Sequence, residues 1–280
     1  MPRDVPRRRF LAGTVAAALT AVAGCSGTTP FVGKRTESTE TVPVRGATAL
    51  TVQNQTGDVV VRGADREDIR VHAVKQASSV RTNVADLALE TVREDGRIRL
   101  SSRWNGDTGP FASRPSMNLD AEVPASLAVE TVQTDVGDIE VTDLAGDLQA
   151  RTDTGDVRIR RVEGTVSAES DTGDVDVRTP AALDGATADT GDVSVDIPAI
   201  DGETTVQTDT GDVVARVGPD LDATLVAQSS NGNVELTGVS LSNGETTGDV
   251  TDEVVRGELG DGGPTLRVAS ETGDVTVQSL

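Results

Sequence analysis

Along the second half of the chain, apolar and polar residues alternate in short runs, and the same corner breaks each run. Val157/Ile159, Val175/Val177, Val193/Val195/Ile197, Val234/Leu236 and Val275/Val277 each follow Thr-Gly-Asp or a near variant. A period of two in Val and Ile predicts half-buried strands rather than helices. A second alternating run leads into the corners. Counted by twos, these runs are Leu148-Ala150-Thr152-Thr154, Val166-Ala168-Ser170-Thr172, Ala186-Ala188-Thr190 and Val206-Thr208-Thr210. Thr-Gly-Asp begins at Thr56, Thr154, Thr172, Thr190, Thr210, Thr247 and Thr272, and Val136-Gly137-Asp138 and Asn231-Gly232-Asn233 are variants. The corner glycines at 137, 155, 173, 191, 211 and 232 are spaced by 18, 18, 18, 20 and 21 residues.

Two strands per 18–21 residues with a fixed corner predict an all-β fold, a single-stranded β-helix or β-solenoid. One such coil cannot bury its own apolar face, so neighbouring coils stack and share a narrow core. A β-sandwich of hairpins is the alternative, but a sandwich does not require identical corners at even steps. We expect the solenoid to span 47–280, with regular coils over 121–280 and an irregular cap section over 47–120. Within that section, Ala47–Arg62 repeats the strand–corner–strand unit, Ile69–Val74 alternates, and Leu87–Leu100 reads as a hairpin about Asp95-Gly96. Its inward candidates are Leu87, Leu89, Ile98 and Leu100. The segment 104–116 reads as a long loop, and Met117–Pro124 as a returning strand.

Composition agrees with a thin core: aromatic residues make up 1% of the 280, with one Trp, three Phe and no Tyr. The single Cys excludes a disulfide framework and Cys-based zinc sites, and the single His excludes His-cluster metal sites. His72 lies in the alternating strand IRVHAV and reads as a strand position. The formal net charge is −21, which argues against nucleic acid as a partner. The acid is uneven: residues 122–280 carry 8 basic and 33 acidic groups, net −25. Lysine is confined to Lys34 and Lys75, against 23 Arg. A surface so rich in Asp and poor in Lys and aromatic residues suits concentrated salt, which screens its self-repulsion.

The first residues carry an address. Arg3, Arg7, Arg8 and Arg9 precede the uncharged run Leu11–Ala23 and then Gly24-Cys25, the order of a secretory signal peptide over 1–24. The run is about 20 Å long as a helix, short of the ~30 Å hydrocarbon core. Arg7-Arg8-Arg9-Phe10-Leu11 resembles a twin-arginine export motif, with Arg7, Arg8, Phe10 and Leu11 at its fixed positions. Val22-Ala23-Gly24-Cys25 resembles a lipobox, which makes Cys25 the lipid attachment site. Residues 25–46 then read as lipidated Cys plus a flexible Thr/Ser/Glu-rich tether, placing the domain at the extracytoplasmic face of the membrane.

Alternation places Asp153, Asp171, Asp189 and Asp209 on the outside, one per coil, and the corners add Asp156, Asp174, Asp192 and Asp212. At the ~4.8 Å spacing of stacked strands, two carboxylates repel by about 0.9 kcal/mol in water. Solvent salt, backbone N–H groups of the turns or bound Ca²⁺ could each compensate. The Gly-Gly-x-Gly-x-Asp calcium nonapeptide is absent, so no cofactor is required, with Ca²⁺ on these eight aspartates the alternative. Asp-Thr-Gly at Asp153, Asp171, Asp189 and Asp209 is also an aspartic-protease triplet. That chemistry needs two distant segments sharing one proton, and four consecutive copies read as turns. No nucleotide-binding fingerprint or zinc spacing is present.

Leu50–Gly63 (LTVQNQTGDVVVRG) and Ala121–Ile159, with its Val-Pro step followed by Gly-Asp and Gly-x-Leu coils, resemble the putative-adhesin family of prokaryotic β-helical domains of unknown function. The resemblance covers roughly 47–280 and implies a β-helical fold and a cell-surface role, with no catalytic residues to transfer. Asp in place of Asn at the corners fits a salt-adapted, haloarchaeal member. The expectation is a lipid-anchored, non-enzymatic surface module for adhesion, binding or structure, with an unidentified surface protein or glycan as partner. The alternatives are a polysaccharide hydrolase or lyase, and a calcium-dependent structural solenoid.

Overall fold

A computed structural model describes residues 33–79, 82–106, 114–249 and 252–280. The alternating runs are strands, and the 21 among the described residues join one continuous sheet folded back on itself. The first group is β1 (Lys34–Val42), β2 (Ala49–Thr56), β3 (Val59–Ala64), β4 (Ile69–Ala77), β5 (Leu87–Glu94), β6 (Arg97–Trp104) and β7 (Ser116–Pro124). The regular region holds β8 (Ala128–Val136), β9 (Ile139–Ala145), β10 (Leu148–Thr154), β11 (Val157–Thr172) and β12 (Val175–Thr190). It continues through β13 (Val193–Ile197), β14 (Thr204–Thr210) and β15 (Val213–Val217). The last group is β16 (Ala223–Ser229), β17 (Val234–Thr237), β18 (Ser242–Asp249), β19 (Asp252–Leu259), β20 (Thr265–Thr272) and β21 (Val275–Ser279).

From β2 onward along the stack each coil runs inbound to a Gly-Asp corner, or to Asn231-Gly232-Asn233 between β16 and β17, and outbound from it. Inbound strands pair in parallel, in the order β6, β2, β8, β10, β11, β12, β14, β20, β16. Outbound strands form the facing layer, in the order β7, β3, β9, β11, β12, β13, β15, β21, β17. The long β11 and β12 serve both layers, because each crosses from outbound to inbound at a bend where Arg161 (φ 53°) and Thr179 (φ 52°) take left-handed backbone. Between the layers lies one sheet of aliphatic side chains. In the coil after Gly155 the inward residues are Val157, Ile159, Val162, Val166, Ala168 and Ser170, all nearly fully buried. Burying each Val or Ile contributes about 1.5–3 kcal/mol, and the gap is filled without large rings. The corners stack in one column, as a solenoid requires and a sandwich does not.

Chain order and stacking order differ at both ends. The coil β2–β3 comes first in sequence but lies between β6–β7 and β8–β9. Likewise β20–β21, last in sequence, is inserted between β14–β15 and β16–β17. Ala49–Ala64 is thus an internal coil, although 47–120 was expected to be a cap throughout. The cap consists of antiparallel additions: β4 and then β1 on the outbound layer, and β5 on the inbound layer. At the far end β19 and β18 extend the inbound layer.

Two expectations are corrected. Lys34–Val42, read as part of the flexible tether over 25–46, is a strand paired with β4 over its whole length, from Lys34↔Ala77 to Val42↔Ile69. Its Thr and Glu residues suit an edge strand, whose outer side must stay polar. Thr247-Gly248-Asp249 is not a corner but the end of β18, which pairs with β19. The predicted hairpin about Asp95-Gly96 is β5–β6, with Leu87, Ile98 and Leu100 buried and Leu89 partly buried against the core.

Candidate functional site

The corner edge brings the predicted aspartates together, in two rows with different fates. At the centre of each corner the glycine has φ near 141° (Gly155, 141°; Gly173, 140°), a region that side chains disfavour. A Cβ on Gly155 would also run into the carbonyl of Gly137 in the coil beside it, and one on Gly173 into that of Gly155. Coils therefore approach closely enough for the next residue to bond across the gap.

The corner aspartates make that bond. Asp156 N–H donates to Asp138 Oδ1 (2.9 Å), Asp174 N–H to Asp156 Oδ1 (2.9 Å), and Asp192 N–H to Asp174 Oδ1 (2.9 Å). Asp212 N–H donates to Asp192 Oδ1 (2.8 Å), and Asp274 N–H to Asp212 Oδ1 (2.8 Å). The ladder ends in amides. Asn233 gives its backbone N–H to Asp274 Oδ1 (2.8 Å), and Asn118 Nδ2 donates to Asp58 Oδ2 (3.0 Å). Asp156, Asp174, Asp192 and Asp212 thus use backbone N–H groups of the neighbouring coil. A hydrogen bond to a charged group is worth about 1.5–3 kcal/mol, more than the ~0.9 kcal/mol repulsion between neighbours, so the ladder is net cohesive.

The other four, Asp153, Asp171, Asp189 and Asp209, stand in a row beside the first, with Asp135 at one end and Glu271 at the other. Arg151 Nη2 donates to Asp171 Oδ1 (3.1 Å), and Arg151 also pairs with Glu169. Burial pushes the Asp135 carboxyl up, neighbouring Asp153 adds to the effect, and Arg114 opposes it. Among the described residues no group of three or more His, Cys, Asp or Glu has the arrangement of a metal site. Arg7, Arg8, Phe10, Leu11 and Cys25 lie outside the described residues.

Sequence reasoning missed a buried row behind the corners. Thr152 Oγ1 donates to Gly137 O (3.0 Å), Ser170 Oγ to Gly155 O (2.9 Å), Thr208 Oγ1 to Gly191 O (2.8 Å) and Ser270 Oγ to Gly211 O (2.8 Å). The signal was present as Ser or Thr two residues before Thr154, Thr172, Thr210 and Thr272. Sequence reasoning also missed the partner of His72, whose Nδ1 lies 3.1 Å from Thr39 Oγ1 on β1. A further hollow, of about 570 Å³, lies at the far side of the inbound face, with Glu130, Asp147, Asp184 and Asp201 in its lining. Two of these carboxylates are tied to Thr165: Asp147 Oδ1 accepts its N–H (2.9 Å) and Asp201 Oδ2 its hydroxyl (3.2 Å).

Stacked Gly-Asp corners between two parallel layers agree with a family comparison, in which the Toastrack DUF4097 profile matches residues 26–190. The chain belongs to the Toastrack DUF4097 family. The Toastrack match takes in the corners at Gly57, Gly137, Gly155 and Gly173, while the inserted coil β20–β21 lies beyond it. Among solved structures, the chain is similar to a "putative adhesin" from Bacteroides fragilis NCTC 9343, at 12% identity and TM-score 0.39, covering 88% of this chain and 97% of that one. A "putative adhesin" from Parabacteroides distasonis ATCC 8503 matches at 11% identity and TM-score 0.39, covering 88% and 98%. A "putative cell adhesion protein" from Clostridium sporogenes ATCC 15579 matches at 11% identity and TM-score 0.33, covering 88% and 100%. No curated protein matches the chain. Among the described residues no helix is long and apolar enough to cross a membrane.

Proposed function

We propose that this Toastrack protein is a lipid-anchored, non-enzymatic binding and adhesion module on the extracytoplasmic face of the cell membrane. Cys25 carries the lipid, and the partner is a surface protein or glycan. The observation that carries the reading is the short distance between the lipobox and the fold. Only eight residues separate Cys25 from Lys34, where β1 starts at the cap end of the stack. Fully extended, such a spacer reaches about 30 Å, less than the ~50 Å height of a dozen strands at ~4.8 Å each. The cap end therefore stays near the lipid, and the long polar faces stand out from it. The salt-adapted, acidic surface keeps such a module soluble at high ionic strength.

The test is fractionation of Cys25→Ser, which is expected to move the protein from the membrane to the medium or to block its maturation. Unchanged membrane association of the variant would sink the anchor. Calcium is not required in this reading, because the corner carboxylates are engaged with backbone N–H groups. A melting scan with EGTA in constant high NaCl is expected to leave the midpoint in place, and a clear drop would restore the calcium-dependent reading. The hydrolase or lyase reading would have to use the carboxylates of the hollow beside Thr165. Release of new sugar ends from a polysaccharide during incubation with the protein would favour it.

A further inference from the structure

Acid lines the corner edge and pairs with Arg on the outbound face, while the middle of the inbound face carries little net charge. On the inbound layer the outward residues stack in register across the coils. Gln53, Gln133, Arg151, Glu169, Thr187 and Gln207 form one column. Beside it runs another, in which Thr51, Thr131, Gln149, Ser167 and Thr205 supply hydroxyls and amides. The charged residues within the two columns are Arg151 and Glu169, and Arg99 and Arg267 close the second column at its two ends. The first two pair with each other, and Arg267 Nη2 donates to Gln228 Oε1 (3.2 Å). The outbound face is different, a lattice of ion pairs that includes Arg62 with Asp120, Arg178 with Asp196 and Arg216 with Asp196. One border of the neutral strip is the row from Asp135 to Glu271. The other is the hollow, which Gln149 and Ser167 share with Glu130, Asp147, Asp184 and Asp201.

We propose that this strip binds a linear, uncharged polysaccharide laid along the stacking axis. The proposal rests on the surface-binding reading above and names its partner class. Three properties point to that occupant. The first is shape: the five coil steps from Gln53 to Gln207, at about 4.8 Å each, give a length of about 24 Å, and two side-chain columns give a width near 7 Å. Such a strip is long and narrow, too small for the ~800 Å² per partner of a stable protein–protein interface but suited to an extended chain. The second is chemistry: amide and hydroxyl groups offer both donors and acceptors, repeated at each coil, which matches a polymer of hydroxyls. The third is charge: carboxylates on both borders repel polyanions, and a polycation would settle on those borders rather than on the strip. Each contact is weak, and affinity comes from many contacts along one chain.

Affinity electrophoresis of the full chain in gels containing dextran, laminarin, mannan, alginate or poly-lysine tests the proposal. Retardation by at least one of the three neutral glycans is expected, with little change as NaCl is raised, because hydrogen bonds between neutral groups are not screened as charge pairs are. The triple variant Gln53→Ala/Gln133→Ala/Gln207→Ala is expected to bind that glycan at least about tenfold more weakly. Its melting midpoint should stay near the wild-type value, since these side chains face outward. Gln278→Ala, on the outbound face, should bind as the wild type does. No retardation by any neutral glycan, or equal retardation of the triple variant, would overturn the proposal. If alginate or poly-lysine alone retards the protein, the neutral strip fails while the surface-binding reading stands. Failure of the anchoring part of that reading would appear separately, in the Cys25→Ser fractionation, which does not depend on glycan binding.

Discussion

Ala188 interrupts an otherwise polar buried row. Its neighbours across the coils, Ser170 and Thr208, each send a hydroxyl to a corner glycine carbonyl. At position 188 a methyl group stands in that place, so no side-chain hydroxyl reaches Gly173 O. Ala188→Ser is expected to supply the bond and raise stability by about 0.5–1.5 kcal/mol. Denaturant melts check this, and an unchanged or lower midpoint would show that the row is not additive. A second residue-scale prediction concerns Asp135, whose carboxyl is held above the ordinary range by burial and by Asp153. A raised folded-state pKa means the folded chain holds that proton more tightly than the unfolded one. Its contribution is therefore present at acid pH and lost as pH rises through the raised value. Asp135→Asn should gain a little stability over wild type near neutral pH, a small effect because the side chain is largely exposed and solvent screens it. The gain should vanish once the pH lies below the ordinary carboxylate range, as melts at the two pH values would show.

At the scale of the coil, the corner ladder makes Asp and Asn interchangeable but Asp and Ala not. Asp174→Asn keeps an oxygen for the Asp192 N–H and removes one like-charge neighbour, so its stability should match or exceed wild type at low salt. Asp174→Ala leaves that N–H to solvent and should cost about 1 kcal/mol. The wild type should gain more from added NaCl than the Asn variant does, and equal salt responses would count against a repelling ladder. Most of these elements were legible beforehand. Val157/Ile159 and Val175/Val177 announce their strands because one face of each is buried and the other wet. The carboxylate rows followed from the same alternation. What could not be read was the partner of each Asp. A turn residue usually bonds locally, and only the close approach at Gly137, Gly155 and Gly173 hands its N–H to the coil beside it. Lys34–Val42 was misread for a related reason: an edge strand exposed along most of its length has the composition of a tether.

For the molecule as a whole, the spacing of corners along the sequence revealed a stack but not its order. Steps of 18 to 21 residues from Gly137 to Gly232 suggest simple succession, yet Gly273 lies between Gly211 and Gly232 in space, its N–H reaching Asn231 O (3.1 Å). Nothing in the local pattern of β20 or β21 distinguishes an inserted coil from an added one, because every slot in the column has the same shape. A chain ending at Gly263 would leave β14–β15 and β16–β17 with unpaired edges facing each other. Hydrogen exchange should then show lost protection over 204–259 and retained protection over 49–197. Uniform protection would mean that the neighbours close the gap themselves.

The inserted coil behaves as a keystone. During synthesis β20 and β21 must enter a slot already walled by segments made earlier, so the far end of the column cannot set before they emerge. A product truncated before β20 would therefore carry an open mortise one coil wide, lined with backbone donors and acceptors. Quality control could recognise that opening without reading any sequence.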